Sequence, residues 1–125
     1  VKAVRSEHAP SPVGPYEQAV AHGDLLFVSG QIPLDPASGA LVEGGIEAQV
    51  ERAIENLRAV LEAGGSSLDR VLRTTVYLVD LSLFPRVNEI YARHFRGSPQ
   101  PARVTVGVAS LPLGAAFEID AIAAL

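Results

Sequence analysis

The chain has 125 residues, 48% hydrophobic and 19% charged, a composition that excludes a disordered chain and suits one domain with one core. The formal net charge of −4 argues against a polyanion such as nucleic acid as the main partner, and the lack of cysteine excludes disulfides, a thiolate zinc site and a cysteine nucleophile. No apolar run reaches the roughly 18–20 residues that cross a bilayer, and residues 1–18 hold no hydrophobic signal core, so the expectation is a soluble cytoplasmic protein without a membrane partner.

A short strand at KAV is followed by SEHAPSPVGPY, whose prolines and glycine exclude helix and predict an ordered loop. QAVAH and LLFVS then read as a hairpin turned at HGD, where Gly23 tolerates positive φ. PLDPASGALVEGG is loop. In GIEAQVERAIENLRAVLEAGG, Ile46, Val50, Ile54, Leu57 and Leu61 recur at three- and four-residue steps and predict an amphipathic helix ending at Gly64-Gly65. Glu47 and Glu51 suit its N-terminal half, and Arg58 is placed to pair with Glu62. RVLRTTVYLVD reads as a strand. SLFPRVNEIYARHF reads as a second helix, with Ser82 as N-cap and Pro85 in the first turn. RVTVGVAS and FEIDAIAAL close the chain as two strands joined by LPLGA.

Two helices cover only one face of the mixed sheet that this order implies. Leu72, Thr74, Val76 and Leu78 make one face of their strand, but Val71, Arg73, Thr75, Tyr77 and Val79 leave the other fairly apolar as well. Strands apolar on both faces predict a sheet buried on both sides, hence a homo-oligomer that packs its helix-free faces together.

Few residues are candidates for chemistry. His8, His22 and His94 follow no metal-ligand spacing and read as surface histidines, and no nucleophile elbow, P-loop or dinucleotide fingerprint occurs. Arg103 heads a strand after Pro101, where a guanidinium held by packed backbone makes a bidentate carboxylate clamp. Glu118 lies inside a strand and offers a general base. From residue type alone a second reading stays open, in which Arg103 and Glu118 simply pair with one another. Tyr16 and Ser29-Gly30 adjoin Pro/Gly-rich loops, where a hydroxyl and a backbone N–H face either a ligand or a turn.

Four segments in order, GPYEQAV, LLFVSGQIPLDPASGAL, NLRAVLEAGGSSLDRVLRTTVYLVDLSLFPRVNEIYARHF and PARVTVGVASLPLGAAFEIDAIA, resemble the RidA/YjgF reactive-intermediate (imine) deaminase family over essentially all of residues 1–125. The resemblance implies a single α+β domain with a chorismate-mutase-like fold: a mixed six-stranded sheet with two helices on one face, assembled as a homotrimer with sites between subunits. It implies hydrolysis of 2-imino acids such as 2-iminobutanoate and 2-iminopropanoate to 2-oxo acids and ammonia, with no metal or cofactor. By motif, Arg103 would grip the substrate carboxylate and Glu118 would orient or activate water. Tyr16 and Asn88 would line the cleft, Ser29 and the Gly30 N–H would bind polar substrate atoms, and Thr105 would act through its backbone carbonyl. Thr105 stands where many members have cysteine, so thiol chemistry is not expected. Phe117 stands where an aliphatic residue is usual and predicts tighter packing. The alternatives are a non-catalytic trimer binding 2-oxo or amino acids, a ribonuclease or translation inhibitor, and a chorismate mutase, for whose dianion a single arginine is too few.

Overall fold

The computed structural model describes all of Val1–Leu125. Six strands, β1 (Lys2–Val4), β2 (Ala19–His22), β3 (Leu25–Gln31), β4 (Val71–Leu78), β5 (Ala102–Gly107) and β6 (Phe117–Ala124), form one sheet in the order β1-β2-β3-β6-β4-β5. Neighbours run antiparallel except β4 and β5, which are parallel. A parallel pair needs a crossover, and the helix α2 (Phe84–His94) supplies it; the longer α1 (Ile46–Ala63) links β3 to β4. No helix is long and apolar enough to cross a membrane.

The predicted stripe on α1 is the core. Ile46, Val50, Ile54, Leu57 and Leu61 are all buried, each contributing on the order of 1.5–3 kcal/mol by leaving water. They meet Leu26 and Val28 of β3, Val76 and Leu78 of β4 and Phe117, Ile119, Ala121 and Ala123 of β6 in one cluster, joined by Val87, Ile90 and Tyr91 of α2. The alternation of β6 holds along its whole length: odd positions are buried under the helices, and Glu118, Asp120 and Ile122 turn to the helix-free face. Phe117 is fully buried, as its bulk predicts. The β2–β3 hairpin closes at the His22↔Leu25 pair, with Gly23 at φ 58° in the turn.

Four local expectations need correction. Leu72 does not share a face with Thr74, Val76 and Leu78. The register of β4 against β6 slips between Val71 and Arg73, a bulge that turns Leu72 outward, 49% exposed, and buries Val71 instead. Ser82 is not the N-cap of α2. A 3-10 turn, Leu81–Leu83, precedes the helix, and Asp80 caps that turn by accepting a hydrogen bond from the Ser82 N–H at 3.0 Å. Arg58 pairs with Glu55, at 3.3 Å, rather than with Glu62. His94 is no surface histidine: its side chain, 11% exposed, is wedged between the helices, with Nε2 2.8 Å from Glu51 Oε2 and Nδ1 3.2 Å from Arg58 Nη2. A guanidinium only donates, so Nδ1 accepts and the proton on Nε2 is given to Glu51.

The loop after β3 is anchored from below. Buried Asn56 donates from Nδ2 to the carbonyls of Ile32 and Leu34, and its Oδ1 accepts from Arg52 Nε at 3.0 Å. This fixes the chain leaving Gly30 and Gln31. On the side away from the helices, Leu25, Phe27, Val104 and Val106 stay exposed, and β5 forms one edge of the sheet.

Candidate active site

Arg103 lies on edge strand β5, opposite Thr74 of β4 in the ladder. Thr74 is buried under the helices, so Arg103 and, two residues on, Thr105 face the α2 side of the sheet. There the guanidinium is held on three sides. Its carbon sits 5.1 Å from the Phe84 ring centroid and 4.8 Å from that of Tyr91, and Nη1 donates to Asn88 Oδ1 at 2.8 Å. Such cation–π contacts act within about 6 Å of a ring and keep the planar fork in one orientation. Tyr91 is itself fixed, by stacking on Phe95 and by a 2.8 Å hydrogen bond with buried Thr74. Burial raises the Tyr91 hydroxyl above the ordinary phenol range, against the opposing pull of Thr74 and the Arg103 charge.

Arg5, Arg58 and Arg86 each find a carboxylate, on Glu17, Glu55 and Glu47. Arg103 finds none. Nη1 is the only one of its nitrogens with a protein hydrogen-bond partner, which leaves Nε and Nη2 for a ligand.

Glu118 occupies a different place. The register of β3 against β6 slips between Val28 and Gln31, so Ser29 and Gly30 form a bulge beside this strand. A pocket opens there, lined by Val13, Tyr16, Ser29, Gly30, Ile32, Pro112 and Glu118. The carboxylate lies directly over Gly30: a Cβ at that position would come within 2.9 Å of the glutamate Cδ, so any side chain at position 30 displaces it. Glu118 makes no ion pair within the chain. Burial first, and the nearby Asp120 charge second, push its carboxyl above the usual carboxylate range, the direction that suits a base working near neutrality.

The other residues singled out take more local roles. The Tyr16 ring is half-exposed at the pocket, and its hydroxyl accepts from the Val13 N–H at 3.2 Å while keeping its own proton to donate. Ser29 gives its hydroxyl proton to the Glu17 carbonyl at 2.6 Å, so only its lone pairs remain for a ligand. Asn88 touches the clamp, positioning Arg103 through one hydrogen bond.

The sheet separates the two halves. Arg103, Asn88 and Thr105 lie on the α2 side of an edge strand, whereas Glu118, next to Tyr77 in the ladder, lies on the helix-free side. The reading in which Arg103 simply pairs with Glu118 of the same chain is therefore excluded. Two residues that hold the clamp, Phe84 and Tyr91, carry no mark of that role in the sequence. Gln18 was equally silent. Buried after the Pro-rich loop, it donates from Nε2 to the carbonyls of Ser6, Ala9 and Pro10 and accepts from the Ser6 N–H, which ties down the loop that carries Val13 and Tyr16.

Comparison with known proteins bears on what this arrangement is. A family model described as Endoribonuclease L-PSP matches residues 6–125. Protein DfrA of Myxococcus xanthus is 54% identical over 124 residues, which span 98% of this chain and 94% of that protein. A Mus musculus protein named 2-iminobutanoate/2-iminopropanoate deaminase is 45% identical over 122 residues, 98% of this chain and 90% of that one. The crystal structure of RidA from an Antarctic Psychrobacter superposes with a TM-score of 0.95 at 40% identity, covering all of both chains. With a match that runs almost from end to end, the chain belongs to the RidA/YjgF family, the group that the Endoribonuclease L-PSP model describes.

Proposed function

We propose that the protein hydrolyses 2-imino acids, such as 2-iminobutanoate and 2-iminopropanoate, to 2-oxo acids and ammonia, at a site that two copies complete together. One copy supplies Arg103 with Asn88 and Thr105; its neighbour supplies Glu118 with Tyr16, Ser29 and Gly30. The observation that carries this reading is the division itself: an oriented guanidinium without a carboxylate and a carboxylate without a cation, on opposite faces of one sheet. The name of the mouse relative supports the choice of substrate. A ring of three copies, as the family resemblance implies, would cover the exposed Leu25, Phe27, Val104 and Val106 and bring edge strand β5 of each against the Glu118 pocket of the next.

The chemistry follows from these groups. The free edge of Arg103 takes the substrate carboxylate through two parallel hydrogen bonds, which fixes the plane of the adjoining C=N bond. A protonated imine beside a carboxylate is already electrophilic at C2, so positioning a water is the main requirement. Glu118 accepts a proton from that water as its oxygen bonds to C2 and the C=N π electrons move to nitrogen, giving a carbinolamine. The proton held on Glu118 can then return to the nitrogen. The C–N bond breaks, ammonia departs with that electron pair, and the hydroxyl gives its proton to the regenerated Glu118 carboxylate as C=O forms. Val13, Ile32 and Pro112 offer the apolar wall for a short alkyl side chain.

The description of the family model supports RNA cleavage as a second reading. The net charge of −4 weighs against a polyanionic substrate, and His94, the one histidine held in a network, is engaged between the helices. A coupled assay decides: a dehydratase generates 2-iminobutanoate, and ammonia and 2-oxobutanoate are followed. Release is expected to accelerate in proportion to added protein. No acceleration at any concentration would leave a binding trimer or a nuclease instead.

A further inference from the structure

The helix-free face is not uniformly apolar. At its centre, between Phe27 of β3 and Val104 of β5, stand two charges of opposite sign. Asp120 is opposite Thr75 in the β6–β4 ladder, and Arg73 is opposite Ile122 two pairs further along. Both side chains therefore emerge on the same face, diagonal to one another, yet they form no ion pair and no hydrogen bond with each other. Arg73 is exposed and has no side-chain partner in the chain. Asp120 Oδ2 accepts from the Tyr77 hydroxyl at 2.9 Å, which orients the carboxylate and leaves Oδ1 open.

These two groups are poorly placed for each other but complementary across a repeated contact. Whatever covers Phe27, Ile122, Val104 and Val106 also takes Arg73 and Asp120 out of water, and a desolvated charge without a partner is strongly unfavourable. A face that carries one unsatisfied cation and one unsatisfied anion is matched by itself: in a cyclic assembly, each copy offers its cation to the next copy's anion. We propose that, where a further copy of the chain covers this face as in the assembly proposed above, Arg73 of one copy pairs with Asp120 of the next, setting the rotational register in which the Arg103 and Glu118 half-sites meet. The inference rests on the two-copy site proposed above, but its own content is the pair. A register that brought Arg73 to Arg73 or Asp120 to Asp120 is disfavoured by like charge, and one that set either group against the apolar residues would bury it without a partner.

The test uses Arg73→Asp, Asp120→Arg and the double reversal Arg73→Asp/Asp120→Arg, with association followed by sedimentation velocity over a dilution series. Each single reversal is expected to raise the concentration at which the assembly dissociates by about tenfold or more, and the double reversal to recover most of that loss, as coupled close charge pairs do. The double variant also guards against misfolding, because a chain that regains assembly is folded. A wild-type assembly whose dilution midpoint neither single reversal moves would overturn the pair while leaving the divided site standing. Failure of the double reversal to recover association would also overturn the pair. A wild-type chain that is monomeric at every concentration would overturn the pair and the two-copy site together.

Discussion

Arg103→Lys is expected to lower imine hydrolysis by roughly 30-fold to several-thousand-fold, the range that follows from losing about 2–5 kcal/mol at a desolvated, hydrogen-bonded charge pair. The charge is conserved, so a site that needed only positive potential would tolerate the change. The fork is not conserved. An ammonium cannot lie flat between Phe84 and Tyr91 while donating to Asn88 and presenting two parallel N–H bonds to a carboxylate. Assembly and melting temperature should change little, because Arg103 is exposed in the chain and makes no ion pair. Calorimetric titration with 2-oxobutanoate, which carries the same carboxylate, should lose affinity in parallel. Retained turnover together with retained binding would remove Arg103 from the role of clamp.

Glu118→Gln separates chemistry from binding. The amide keeps the volume and one acceptor but cannot take a proton from water, so the turnover rate should fall by about 10²–10⁴-fold, the usual worth of a general base, with substrate affinity largely kept. Its effect on stability runs the other way. The carboxyl is raised in the folded chain, by burial and then by Asp120. A carboxyl raised on folding binds its proton more tightly in the native state. It destabilises the fold progressively as pH climbs from the ordinary carboxylate pKa through the raised one, and the whole penalty stands above both. Glutamine removes that penalty. The variant should therefore melt no lower than the wild type at neutral pH and show no advantage in acid, where the wild-type carboxyl is protonated in both states. Wild-type activity should fall as pH drops through the raised pKa. Thermal melts at neutral and acid pH beside the rate profile check both statements; a neutral-pH melting temperature well below wild type would make Glu118 structural.

What could be read in the chain was what repeats locally. The spacing of Ile46, Val50, Ile54, Leu57 and Leu61 marked α1, the alternation in FEIDAIAAL marked β6, and Gly23 marked the hairpin, because helix and strand periods act within a few residues. The chemistry-bearing residues also stood out, since Arg103 and Glu118 interrupt apolar segments. The rest depends on partners far away in sequence. Nothing near Leu72 announces the bulge that turns it outward, which is set by the pairing of β4 with β6. Asp80 and Ser82 are both good caps, and only the 3-10 turn before α2 decides between them. The separation of Arg103 from Glu118 follows from β6 lying between β3 and β4 while β5 takes the edge, an order that no local pattern encodes. Phe84 and Tyr91 were legible only as members of a helical segment, and their use in holding a guanidinium was not legible at all.

The most direct measurement of the central claim combines the two variants in one assembly. Arg103→Lys and Glu118→Gln chains carrying different affinity tags are co-expressed, mixed assemblies are purified on both tags, and ammonia release is followed in the coupled assay. A ring of three that contains both variants has one contact at which an intact Arg103 meets an intact Glu118, so about one third of the wild-type rate should return. A mixed assembly no more active than either variant alone would contradict a site divided between copies.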